Sequence, residues 1–245
     1  MKQFKTPQEQ AVGPRIAEVF GRSPDSVEDR IATFPRYARR QQLKRFLAMY
    51  EVYKMILPVK GSIVECGVFR GFGFMSWFKL SSILEPENLT RQIYGFDTFA
   101  GFPTVGSEDD YPDSATVVGG LASDSEAELR ELIEIADQDR FLGHIPKAHL
   151  IRGDIAETAP TFVADNPHLM VSLLFLDADL YDPTKAAIDA FLPRMPKGAI
   201  IAFDELDNPQ WPGETLALLD ALGIGSLRMQ RLEWDPDISF ARIGD

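Results

Sequence analysis

Three carboxylates stand close together in LLFLDADLYDPT, residues 173 to 184, where Asp177, Asp179 and Asp182 follow four apolar residues that read as a buried strand. Like charges crowded at a strand end repel each other, so something must offset them: a cation, hydrogen-bond donors or water. A second acidic pair, Asp204 and Glu205, follows the apolar run AIIAF. If the two runs are neighbouring parallel strands they lie roughly 4.8 Å apart, and Asp177, Asp204 and Glu205 can reach one point in space. Oxygen donors without nearby His or Cys favour Mg²⁺, Ca²⁺ or Mn²⁺ over zinc. Helix capping is the competing use and suits Asp182 before Pro183. It engages one acid per helix and leaves the others idle, so the three are read as metal ligands.

A second cluster begins at Glu65 in ECGVFRGFG, where Gly67, Gly71 and Gly73 sit between a strand and a helix. Glycines there let the backbone turn sharply and approach a ligand, as a nucleoside cofactor requires. The spacing G-x3-G-x-G differs from the dinucleotide fingerprint G-x-G-x-x-G and disfavours a nicotinamide dehydrogenase. Asp97, closing the next strand, stands where doubly wound folds bind ribose hydroxyls. Asp154 could accept from an adenine amino group, or cap the turn IAET. His144, His149 and His168 lack metal spacing, and Cys66 has no His or second Cys nearby and reads as packing; neither type offers a nucleophile. Trp211, in NPQWPGET, is either loop packing or a wall of the substrate pocket.

The elements that must position these residues follow from periodicity. Strands are expected at 62–66, 92–97, 148–152, 171–177 and 198–204, and helices at 73–84, 125–137, 183–192 and 213–222. That alternation predicts a doubly wound, Rossmann-like α/β sheet. Two closing strands, 226–233 and 237–243, are too close for a crossover and must form an antiparallel hairpin, making seven strands. An amphipathic helix over 39–57 stops at Pro58, and residues 1–35, punctuated by Pro14, Pro24 and Pro35, suggest short helices. The expected division is a helical cap, 1–60, packed on a core of 61–245. The unpatterned loop 98–120 and the 39–57 helix are candidates for a lid.

Composition limits the partners. With 25 Lys and Arg against 37 Asp and Glu, the net charge of −12 repels a phosphate backbone, so nucleic acid is not expected. The basic run RYARRQQLKR, 36 to 45, reads as a solvated helix face rather than an anion site. A single cysteine, no leader-like apolar start and no run long enough to span a bilayer lead to an expected cytoplasmic location without membrane attachment.

VECGVFRG, YGFDTFAGFP, GDIAETAP, LLFLDADLYDPTKAAIDAFLPRMPKG and IAFDELDNPQWPGET resemble, in order, segments of the macrocin O-methyltransferase family, class I S-adenosylmethionine-dependent enzymes that methylate hydroxyls in natural products. The resemblance covers about residues 36 to 220. It implies a class I methyltransferase sheet, with Glu65, Gly67, Val68 and Gly71 at the methionine part of S-adenosylmethionine, Asp97 and Thr98 at the ribose, and Asp154 and Ile155 at the adenine. It further implies Mg²⁺ on Asp177, Asp204 and Glu205, Asp179 as general base, a sugar or glycoside as hydroxylated acceptor, and a homo-oligomer. The acidic pair is Asp-Glu here, where better known members have Asp-Asp. The expected activity is Mg²⁺-dependent O-methylation; a metal-dependent hydrolase and a non-catalytic cofactor-binding relative are the alternatives.

Overall fold

The computed structural model describes residues 6–110 and 116–245, so part of the expected lid, 111–115, lies outside the described residues. The chain divides into two compact units, 1–47 and 48–245, at a point inside a helix rather than at residue 60. In the first unit, α1 (Pro7–Gly21) opens with a capping box in which Thr6 and Glu9 satisfy each other's backbone N–H groups. Pro14 lies within α1 and removes one intrahelical bond without ending it. After α2 (Val27–Ala32), capped by Ser26, comes a short 3-10 turn containing Pro35.

Helix α3 (Arg40–Ile56) runs on into the second unit, which then alternates strand and helix: β1 (Ser62–Cys66), α4 (Phe72–Leu84), β2 (Ile93–Asp97), α5 (Glu126–Gln138), β3 (Ala148–Arg152), α6 (Ile155–Asp165), β4 (Val171–Leu176), α7 (Tyr181–Phe191), β5 (Ile200–Phe203), α8 (Gly213–Ala221), β6 (Gln230–Leu232) and β7 (Asp235–Arg242). The sheet order is β3-β2-β1-β4-β5-β7-β6, parallel through β5, with β7 antiparallel to β5 and to β6. This is the expected seven-strand α/β sheet with its closing antiparallel pair. Its order reverses between β1 and β4, where open α/β sheets bind ligands beyond the strand ends.

Strand pleating divides the core between the two faces. Val64, Cys66, Phe96, Leu174, Leu176, Ile201 and Phe203 join the layer made by α6, α7 and α8. On the opposite face Trp77 of α4 stands edge-on to Phe175 of β4 and stacks on Tyr53 of α3. Helix α6 was not expected from the sequence: Pro160 interrupts its pattern, yet Ile155, Ala159, Phe162 and Val163 pack on the core and hold it. At the other end of the sheet, buried Arg91 pairs with Glu85 and donates to the carbonyls of Ile56, Val59 and Gly61, closing the C-terminus of α3. No helix among the described residues is long and apolar enough to cross a membrane.

Candidate active site

Beyond the C-terminal ends of β1, β2 and β4 lies a cavity of about 370 Å³. Gly67, Asp97, Thr98, Asp154, Ile155, Asp177 and Asp179 all line it, so the two clusters read from the sequence meet in one space. Phe69, Phe102, Leu121 and Pro183 supply apolar wall, and Lys185, ion-paired with Asp189 one turn along α7, is the basic residue of the lining.

Backbone geometry fixes the first wall. Gly67 has φ +96 and donates to Phe96 O at 2.9 Å; a Cβ there would overlap the carbonyl oxygen of Asp177. The glycine therefore serves a close approach between the β1 and β4 loops. Asp97 gathers the loop ends: Oδ2 accepts from Val68 N at 2.8 Å and Phe69 N at 2.7 Å, and Oδ1 from Phe99 N at 2.7 Å. Phe69 and Phe99 carry positive φ, +51 and +53, strained for non-glycine residues and stabilised by those bonds. Thr98 Oγ1 donates to Gly101 O at 2.7 Å and turns the following loop.

Three residues expected at the methionine part are not in the lining. Glu65 is buried beneath it, facing Gly73 of α4, where a Cβ would lie 2.6 Å from its Oε1. Val68 is buried, packed where a Cβ on Gly95 would strike it. Gly71 caps α4 in the left-handed region and leaves room for Leu129 of α5. These residues support the wall rather than form its surface. Asp154 caps α6 through Ala156 N at 2.9 Å and also lines the cavity.

The second wall is the D-x-D loop. Asp177 N donates to Cys66 O at 2.8 Å and Asp204 N to Leu176 O at 3.0 Å, so the ladders of three adjacent strands run on into the acidic residues. Glu205, however, accepts from Asn208 Nδ2, and neither Asp204 nor Glu205 is in the lining. Among the described residues no three His, Cys, Asp or Glu side chains are arranged to hold a metal ion, so the expected trio is not assembled. Asp182 is not the cap of α7 either; Leu180 holds that position without a side-chain bond.

Two acids outside the sequence reading complete the site. Glu214, fully buried at the start of α8, accepts from Asp179 N at 3.3 Å and Glu205 N at 3.0 Å. Burial pushes its carboxyl well above the usual range; Asp179, Asp204 and Glu205 push the same way, against the Glu205 N–H. Asp109, buried in the long loop, accepts from Tyr181 N at 2.8 Å and Gly106 N at 3.3 Å, and burial raises its carboxyl too. Glu214 lies in the PGET stretch, but a Glu in a first helical turn ordinarily marks the helix dipole, and Asp109 is one of several loop acids, so neither stood out. Trp211 stands edge-on to Phe102 at 6.1 Å, behind the cavity wall. Cys66 is a buried packing residue, its thiol pushed up by burial, and His149 stacks on Tyr94 away from the site.

A family model described as macrocin-O-methyltransferase (TylF) matches residues 36–215. The calicheamicin methyltransferase CalS11 superposes with a TM-score of 0.95 at 36% identity, covering 98% of this chain and 95% of that one. An apo structure described as CalS11, TDP-rhamnose 3'-O-methyltransferase of calicheamicin biosynthesis, gives a TM-score of 0.86 at 35% identity, covering 98% and 97%. The 8-demethyl-8-(2,3-dimethoxy-alpha-L-rhamnosyl)-tetracenomycin-C 4'-O-methyltransferase of Streptomyces olivaceus is 27% identical over 154 residues, 60% of this chain; the chain spans about half the length of this curated relative, 53%.

Proposed function

Because the chain belongs to the macrocin O-methyltransferase family, we propose that it moves a methyl group from S-adenosylmethionine to a hydroxyl of a sugar or glycosylated small molecule, with Mg²⁺ at the ends of β4 and β5. The observation that carries this reading is that Asp97, Asp154 and the Gly67 loop share one cavity with Asp177 and Asp179. A nucleoside seated on the first group is thereby within reach of a hydroxyl seated on the second. The relatives whose printed names describe rhamnose methylation support a sugar acceptor.

Methyl transfer is an in-line displacement, so the protein's main task is alignment. Asp97 keeps the glycine loop in shape through three N–H bonds, which leaves its carboxylate one further lone-pair site for a ribose hydroxyl. Asp154 and Ile155 flank the adenine end, and Phe69 adds apolar wall. Asp179 accepts the proton of the attacking hydroxyl. Hard oxygen donors suit a divalent cation, and Asp177, Asp204 and Glu205, at neighbouring strand ends, are the residues that would hold it. Such a cation, when bound, lowers the pKa of the acceptor hydroxyl and fixes its direction.

The test is methylation of a nucleoside-diphosphate deoxyhexose or a rhamnoside by the purified protein, S-adenosylmethionine and Mg²⁺, read by mass spectrometry. Removing divalent ions with EDTA is expected to lower the rate at least about 100-fold and Mg²⁺ to restore it, a metal-ion contribution of several kcal/mol. A rate indifferent to EDTA would remove the metal from the scheme, and transfer to none of the sugars would remove the sugar acceptor.

A further inference from the structure

The geometry points to Glu214 and Asp109 as a pair of positioning residues that hold Asp179 in a strained turn, an inference that rests on the methyl-transfer reading above. Asp179 has φ +62, and Leu180 N donates to Ala178 O at 2.7 Å, closing an i to i+2 turn around it. A non-glycine residue in this conformation persists only where its surroundings over-determine it, and such residues gather at functional sites.

The surroundings here are two carboxyls from distant parts of the chain. Glu214 takes the Asp179 N–H at 3.3 Å, and Asp109 takes the Tyr181 N–H at 2.8 Å, so the turn is gripped on both sides. The second oxygen of each side chain is anchored in turn, on Glu205 N at 3.0 Å and Gly106 N at 3.3 Å. Gly213 makes room for the grip: a Cβ there would overlap Asp109 Oδ1 and lie 2.5 Å from Tyr181 N. Both carboxyls are almost wholly shielded from solvent, and neither lines the cavity. They therefore act on a ligand only through the loop they hold. Burying two carboxyls beside other acids is a costly way to satisfy backbone N–H groups. The arrangement is accounted for if its product is a fixed direction for Asp179, which does line the cavity.

The experiment is a double-mutant cycle on the full chain. Glu214→Ala and Asp109→Ala are each made alone and in an Asp179→Asn background, with kcat, KM for the sugar and S-adenosylhomocysteine affinity measured for each. Alone, each is expected to lower kcat about 10- to 100-fold, the scale of a misplaced catalytic group, with KM and cofactor affinity little changed. In the Asp179→Asn background each is expected to cost almost nothing further. Equal losses in both backgrounds, or cofactor affinity falling in parallel with kcat, would overturn the proposal. Glu214→Gln keeps one acceptor oxygen and is expected to fall between the parent and Glu214→Ala; if the alanine variant does not fold, the glutamine variant and Asp109→Ala carry the same cycle. A readout independent of activity separates this proposal from the reading it rests on. Asp179→Gly should melt above Asp179→Ala, since only glycine takes the positive φ freely, and equal melting temperatures would contradict the strained turn even in an inactive protein.

Discussion

Asp179→Asn is expected to lower kcat by about 10²- to 10⁴-fold, the usual contribution of a positioned general base. Asparagine has nearly the same shape and tolerates the left-handed backbone as well as aspartate does, so the φ of +62 at this position and the turn around it should survive. What disappears is the capacity to take a proton from the attacking hydroxyl. Affinity for S-adenosylhomocysteine should stay within a few-fold of the parent, because the end of the cavity proposed to seat the nucleoside, at Asp97 and Asp154, is untouched. Steady-state kinetics and calorimetry on the same preparation check both halves. A variant that kept its full kcat would leave the proton without this acceptor and would strip Asp179 of its role.

Gly67→Ala carries the largest expected effect on folding. Its Cβ would overlap the Asp177 carbonyl oxygen and stand 2.5 Å from the Asp177 carbonyl carbon, at a residue with φ +96. Neither partner can step aside cheaply: Gly67 N is tied to Phe96 O at 2.9 Å, and Asp177 N to Cys66 O at 2.8 Å. Backbone therefore meets backbone in the middle of the sheet's C-terminal edge. The expected cost exceeds about 4 kcal/mol, in the exceptional range for a single substitution. Gly223→Ala is the control, since Gly223 also has positive φ, +71, but nothing lies within 4 Å of its Cβ position; it should cost only about 1–3 kcal/mol, the penalty of the backbone conformation alone. Urea unfolding of the three proteins measures the difference. Equal losses for the two variants would show that Gly67 is needed only for its φ and not for the contact with the Asp177 loop.

The parallel strands were legible because buried strands of a doubly wound sheet are nearly continuous apolar runs, and VSLLFL and IIAF contain little else. The closing pair was legible because too few residues separate the two runs for a crossover, although the turn falls at Glu233 and Trp234, with Asp235 and Pro236 belonging to β7, and β6 is only Gln230–Leu232. Helix α6 was lost because Pro160 is a breaker in sequence terms, whereas its apolar face against the sheet outweighs the missing hydrogen bond. In the site, acids that end strands could be assigned to one edge from topology alone, and Asp97, Asp154, Asp177 and Asp179 do share a cavity. Which way a side chain turns from a strand end is a different matter. Glu65 turns under the loop toward Gly73, and Glu205 toward Asn208, because of packing and hydrogen-bond partners that the strand pattern does not specify. Glu214 and Asp109 escaped for the same reason. Their partners, the backbone N–H groups of Asp179, Glu205 and Tyr181, are 9 to 72 residues away and carry no sequence signal.

The most direct measurement is a calorimetric titration of the purified chain with S-adenosylhomocysteine. Saturable binding of one molecule per chain is predicted, weakened by replacing Asp97 with alanine, which removes the acceptor of three loop N–H groups. No heat of binding at any workable concentration, or affinity unaltered by that replacement, would contradict a nucleoside cofactor in this cavity.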